Sequence, residues 1–149
     1  MLSKSCIYGL RASILLAQKD VEEFITIQKI SSELNVSFYF LTKVLQQLTY
    51  SEILESYKGP NGGVRLSRRP ADISFRDIVV SIDGEYLLKE CILGLPGCGS
   101  EKPCPMHESW TQLRFNLQNL MEGVSLADLA ADRGLRLADA IPELRSIDL

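Results

Sequence analysis

Three of the four cysteines and the only histidine of this 149-residue chain fall within 17 consecutive positions. The order is Cys91, six residues, Cys98, five residues, Cys104, two residues and His107. Gly94, Pro96, Gly97, Gly99, Pro103 and Pro105 lie among them, a composition that breaks helix and strand and leaves a loop. A loop carrying three thiols and an imidazole can close round one soft metal centre. Thiolates select zinc, copper(I) or iron–sulfur iron, and imidazole suits zinc and iron. Burial of the cysteines as small hydrophobes fits a Gly- and Pro-rich loop poorly. Disulfides fit no better, since no signal peptide is evident and 46% hydrophobic content is enough for an ordinary core. Three cysteines and a histidine also make a standard tetrahedral zinc set, although the tight Cys-x-x-Cys knuckle of many zinc sites is missing. The loop alone leaves zinc and iron–sulfur both open.

The length suits one domain or two small ones. The start, Met1-Leu2-Ser3-Lys4-Ser5-Cys6, lacks a long apolar core, and no run reaches the length of a membrane span. The expectation is a soluble, cytoplasmic protein without a membrane partner, in a reducing compartment where free thiols persist. The net charge of −3 divides unevenly: residues 1–70 carry nine Lys/Arg against six Asp/Glu, and residues 71–149 carry seven against thirteen. A mildly basic half, suited to nucleic acid, thus precedes an acidic one.

Along the chain, Ile7, Leu10, Ile14 and Ala17 recur at helical spacing and predict a first helix from Ser3 or Lys4 to about Lys19, with one apolar stripe. Cys6 in its first turn reads as a plain buried or surface thiol. A short helix is expected over Gln28 to Leu34, then a turn at Asn35-Val36-Ser37, with Ser37 a good N-cap. The next helix, Phe38 to about Tyr50, is expected to bury Phe38, Leu41, Leu45 and Leu48 and to expose Tyr39, Thr42, Lys43, Gln46 and Gln47. Two short helices, a three-residue turn and an exposed face of hydrogen-bonding side chains make a helix-turn-helix. Ile53 to Tyr57 and Val64 to Leu66 read as paired strands around Lys58-Gly59-Pro60-Asn61-Gly62-Gly63, a tip with Asn-Gly turn chemistry. That hairpin turns the unit into a winged helix, with Lys58 and Arg65 placed to approach a minor groove or phosphates. The candidate DNA-facing residues are Gln28, Ser37, Tyr39, Phe40, Thr42, Lys43, Lys58, Asn61, Gly62 and Arg65.

Ser74-Phe75-Arg76-Asp77 resembles a capping box and opens a helix to about Ile82, closed by Gly84. After the cysteine loop, Pro105 suits the first position of a helix. Met106, Trp110, Leu113, Leu117, Leu120 and Val124 then alternate at spacings of four and three, a seam that suits packing on a partner helix. The first five are candidates for a dimer interface. Gly123 ends this helix, and Ser125 to Ala131 forms a short capped one. The chain is thus expected to be mainly α with a small β-hairpin wing. It divides into a winged helix-turn-helix at 1–83, a cysteine-rich loop at 84–107, a long dimerisation helix and a short follower at 105–131, and a poorly ordered or loosely packed tail at 132–149.

With these motifs the chain resembles the bacterial IscR/NsrR group of winged-helix transcription regulators over nearly its whole length, to about Ala131. Met1-Leu2-Ser3-Lys4 with Tyr8 and Leu10-Arg11-Ala12 looks like that group's first helix. The wing is similar to its glycine-rich wing, with Lys58 where Arg is commoner, and Ser125-Leu126-Ala127-Asp128-Leu129 looks like its ending. The resemblance implies that Cys91, Cys98, Cys104 and His107 hold an iron–sulfur cluster, 2Fe–2S in the IscR type, with a first gap one residue longer than usual. It also implies a homodimer on double-stranded promoter DNA, sensing iron or cluster supply, redox state or nitric oxide. A zinc-stabilised or metal-free DNA-binding regulator that senses nothing, and a redox or electron-transfer iron–sulfur protein, are the other readings. An enzyme is not expected, because the lone histidine belongs to the loop and no nucleophile–base pair or phosphate cradle remains.

Overall fold

The first helix is the centre of the molecule. α1 (Lys4–Gln18) buries Cys6, Tyr8, Gly9, Leu10, Ala12, Ser13, Ile14 and Leu16, residues that cover most of its circumference. The single stripe expected from its sequence is therefore too narrow. Small residues make the difference, because they let neighbouring helices approach from several sides. A Cβ on Gly9 would lie 2.3 Å from Ile82 Cδ1 and 3.3 Å from Val44 Cγ1. Ser3 caps α1 by accepting from the Cys6 amide, and its own N–H donates to Asp83 Oδ2 at 2.8 Å. Cys6 is fully buried, and desolvation, with Asp83 nearby, pushes its thiol up to about 12. It is an inert core residue.

The computed structural model describes residues 2–99 and 101–141. α2 (Ile27–Leu34) and α3 (Phe38–Tyr50) pack on α1 through Ile30, Leu34, Leu41, Val44, Leu45 and Leu48. Thr26 caps α2 from the Lys29 amide, and Asn35 in the left-handed region closes it. Ser37 occupies the N-cap of α3 without a side-chain cap bond. Phe38, expected inside, is 39% exposed, and Val44 takes the inward place instead.

β1 (Leu54–Tyr57) and β2 (Gly63–Leu66) form the two-stranded antiparallel wing, with Tyr57 opposite Gly63 and Leu54 opposite Leu66. Sequence periodicity does not reveal a third partner. Ile25, just before α2, exchanges both backbone hydrogen bonds with Val64, at 2.9 and 2.8 Å. This close approach is why position 63 is glycine: its φ is +149°, and a Cβ there would lie 2.1 Å from the Ile25 carbonyl oxygen. Gly63→Ala is therefore expected to cost about 1–3 kcal/mol, read as a lower urea midpoint. An unchanged midpoint would mean that the Ile25–Val64 bridge does not hold the wing.

A single 3₁₀ turn (Pro70–Asp72) leads to α4 (Phe75–Asp83), whose Ser74/Asp77 capping box is complete. Gly84, at φ +74°, ends α4. A short α5 (Tyr86–Lys89), too brief to show periodicity, precedes the cysteine loop. α6 (His107–Gly123) starts two residues after Pro105, so the proline lies outside the helix rather than at its first position. α7 (Leu126–Ala131) carries a second capping box, Ser125/Asp128. The starts of α4 and α7 are joined, with Phe75 N donating to Val124 O and Leu126 N to Ile73 O, each at 2.8 Å. The described part of the tail returns over α1: Arg133 Nη1 donates to Gln18 O at 2.7 Å, Arg11 Nη1 donates to the Leu137 carbonyl, and Leu137 packs on the core. Residues 142–149 lie outside the described region.

Candidate metal centre and nucleic-acid interface

The three loop cysteines converge. Cys91, Cys98 and Cys104 place their Sγ atoms within 4.8 Å of one another, all half-buried. Cys98 Sγ lies 3.7 Å from His107 Nδ1, so the imidazole adjoins the group of three thiols through Cys98. They line a cleft of about 230 Å³ with Tyr86 and Trp110. Backbone turns set the loop's path: Gly94 and Gly97 have positive φ, and Gly94 N donates to Cys91 O at 2.9 Å.

The donors are electrostatically prepared for a cation. The Leu95 and Leu93 amides, pointing at the Cys91 sulfur, hold this thiol below the usual range. The Cys104 amide favours the thiolate of Cys98, but desolvation and the neighbouring Cys91 and Cys104 raise Cys98 on balance. Metal binding to such a set of thiols displaces their protons, so the affinity of the site depends on pH.

The loop is anchored at its entry. Trp110 Nε1 donates to Glu90 O at 2.9 Å, and Arg114 Nη1 donates to the carbonyls of Lys89 and Glu90. Both come from α6, and both grip the residues just before Cys91. His107 is the first residue of the same helix. Behind it, Arg76 on α4 pairs with Glu85 at 2.8 Å and with Glu122 at 3.4 Å, joining α4, α5 and the far end of α6. No sequence signal pointed to Arg76 or Arg114. Their roles depend on carbonyls and carboxylates brought together only by the fold.

The seam expected on α6 divides in two. Trp110 bonds to Glu90, Leu117 packs against the protomer's core and Met121 is buried. Met106, Leu113 and Leu120 are 46, 55 and 63% exposed and recur every seven residues as one ridge. Trp110 and Leu117 therefore serve the protomer's own packing, and the ridge of three remains open.

The second candidate surface lies at the other end. Between α3 and the wing runs an open groove of about 750 Å³, whose lining includes Gln28, Phe38, Thr42, Gln46, Tyr57 and Lys58. Tyr39, Lys43, Ser37, Lys58 and Asn61 are exposed and Gly62 is half-exposed, with Asn61 in the left-handed region at φ 59°. Among the described residues Lys29, Lys43 and Lys58 form no ion pair, which leaves three cations free on this side. Two expected members of the surface are spent elsewhere. Phe40 packs edge-on against Tyr8 with ring centroids 5.6 Å apart. Arg65 pairs with Glu55 at 3.2 Å, donates to Glu22 O at 2.8 Å and lies 4.4 Å over the Phe24 ring. Charge pattern alone could not reveal that three neighbours absorb this guanidinium.

Residues 2–132 match the profile of the Rrf2 family, described as an iron-dependent transcriptional regulator. The transcriptional regulator NsrR of Geobacillus kaustophilus is 28% identical over 127 residues, 85% of this chain and 86% of that protein. The transcriptional regulator IscR of Aliivibrio salmonicida is 26% identical over 125 residues, 84% of this chain and 74% of that one. The structure of CymR, the global cysteine regulator of B. subtilis, superposes with a TM-score of 0.75 at 25% identity, covering 88% of this chain and 96% of the other.

Proposed function

The chain belongs to the Rrf2 family of transcriptional regulators, and on that premise we propose that it is a homodimeric, promoter-binding regulator controlled by an iron–sulfur cluster, a 2Fe–2S centre held by Cys91, Cys98, Cys104 and His107. The observation that carries this reading is the convergence of three thiols and the chain's single imidazole in one cleft. When bound, such a cluster supplies a tie between loop and helix that changes with oxidation, iron supply or nitric oxide.

The chain's own residues convert that tie into a signal. Trp110 and Arg114 hold the entry to the loop against α6, and His107 is part of α6 itself. The segment free to respond is therefore the Gly- and Pro-rich stretch carrying Cys98 and Cys104. Ordering that stretch stiffens the start of α6 beside Met106 and Leu113, where the second protomer would dock. The relative placement of two recognition helices on two half-sites follows from that docking. Any free-energy difference between the loaded and empty loop then biases the DNA-competent arrangement.

One observation favours a second reading. A single tetrahedral zinc with Zn–S bonds of about 2.3 Å separates its sulfurs by roughly 3.8 Å, and the present spread of at most 4.8 Å is close to that. In this reading the loop holds a structural zinc and the protein binds DNA without sensing. Anaerobic purification followed by visible absorption and metal analysis separates the two. Charge-transfer bands with stoichiometric iron and sulfide are expected, and a colourless protein with one zinc per chain would overturn the cluster. No described helix is long and apolar enough to cross a membrane.

A further inference from the structure

The outward face of α3 is almost uncharged. Positions 39, 42, 43, 46, 47 and 50 present Tyr, Thr, Lys, Gln, Gln and Tyr, and α3 contains neither arginine nor carboxylate. In a major groove these types are not interchangeable. Guanine offers two acceptors and is taken by Arg or Lys, while cytosine offers an amino group and is taken by Asp or Glu. Adenine offers a donor beside an acceptor and matches a Gln or Asn amide, and thymine adds a methyl group that takes apolar contacts. The states of the side chains sharpen the match. Thr42 Oγ1 is already spent on the Phe38 carbonyl at 2.7 Å, which leaves its methyl as the group free for contact. Tyr39 is 80% exposed, with its ring braced edge-on by Phe38 at 5.6 Å and 81°. Among the described residues the Gln46 amide makes no hydrogen bond. Residues 39, 42 and 46 follow one another along a single ridge of the helix. Arg65, the wing's arginine, is held by Glu22, Glu55 and Phe24.

We propose that α3 reads A·T base pairs: Gln46 pairs bidentately with adenine, Tyr39 and Thr42 pack on thymine methyl groups, and Lys43 is left for a phosphate. This rests on the DNA-binding reading above and names the base chemistry of its target.

The test uses the purified full chain in its metal-loaded state and a pool of random duplex DNA. Selected half-sites should carry A·T pairs at the positions under α3. On a selected site, uracil in place of thymine deletes only the methyl group and should weaken binding about four-fold per contacted base. Replacing adenine by 7-deazaadenine removes the Gln acceptor site and should weaken binding about ten-fold at one position. Thr42→Ser and Tyr39→Ala should abolish the uracil penalty, and Gln46→Ala the deazaadenine penalty. Lys43→Ala should instead weaken all sequences alike and flatten the salt dependence by about one unit of slope. Half-sites dominated by G·C, or analogue penalties absent in the unsubstituted protein or unchanged in the variants, would overturn the proposal. The base analogues act on the unaltered protein, so the result does not depend on any variant folding. Absence of salt-dependent DNA binding in every loading state would sink the DNA-binding reading itself, a different result from binding with the wrong base preference.

Discussion

Cys98→Ala is expected to give a colourless protein whose DNA affinity no longer responds to iron and sulfide. Cys98 Sγ lies 3.7 Å from the imidazole Nδ1 and within 4.8 Å of the Cys91 and Cys104 sulfurs, so its loss removes a donor that adjoins the other three. Losing even an outer partner of a metal ligand costs about 10–100-fold in affinity, and deleting a ligand should exceed that. The side chain is half-buried in an open cleft and supports no core packing. The unfolding free energy of the metal-free protein, read from urea titration, should therefore stay within about 0.5 kcal/mol of the parent. Iron content, visible absorption and DNA titration with and without reconstitution give the result directly. His107→Cys should keep the centre and lower its reduction potential, since histidine ligation raises it. A His107→Ala protein with unaltered spectrum and potential would remove His107 from the ligand set, and a Cys98→Ala protein that keeps its visible bands would remove Cys98.

Leu113→Asp should convert a dimer to a monomer without unfolding the protomer. Leu113 is the middle of the ridge Met106–Leu113–Leu120, which spans about 21 Å of helix and is more than 40% exposed at each position. Two-fold pairing brings the same ridge from both copies together, so the substitution buries two unpaired carboxylates, at a cost of several kcal/mol. Sedimentation should show a monomer with unchanged far-ultraviolet circular dichroism. Leu117→Asp is the contrast: Leu117 packs on the protomer's core, and its replacement should lower the unfolding midpoint whatever the oligomeric state. A Leu113→Asp protein that remains dimeric would move the interface off this ridge.

Local chemistry made much of this molecule legible from its sequence. The Ser74/Asp77 box, the glycine at 84, the Asn-Gly wing tip and the cysteine spacing each carry their meaning within a few residues. The convergence of Cys91, Cys98, Cys104 and His107 needed no tertiary information beyond a loop able to turn. Features set by distant partners stayed hidden. The α6 seam looked uniform because periodicity counts apolar residues without saying which neighbour covers them. α5 and α4, both packed on α6, bring Glu90 and the core to one side of it, dividing Trp110 and Leu117 from Leu113 and Leu120. Arg65 looked like a DNA contact because Glu22 and Phe24, more than forty residues earlier, give no local sign of meeting it. Tyr8 hid Phe40 in the same way. The burial of α1 on most sides was missed because Gly9, Ala12 and Ser13 count as weakly apolar, although their small size is what admits α3 and α4.

The joint between the starts of α4 and α7 gives the long helix a mechanical character. Val124 and Leu126 are fastened to Phe75 and Ile73 by two backbone hydrogen bonds, so the C-terminal end of α6 is a pivot beside the segment that leaves the wing. Its opposite end, at His107, lies about 25 Å away. α6 is then a lever hinged at the DNA-binding body and loaded at its tip. A tilt of about 5° at the hinge sweeps the tip through about 2 Å, enough to re-seat a side chain but small against the core that holds the hinge. In the proposed dimer, whose ridge lies along the arm, the partner protomer would travel with it, and a small change in one loop would be multiplied into a change of spacing between two recognition helices.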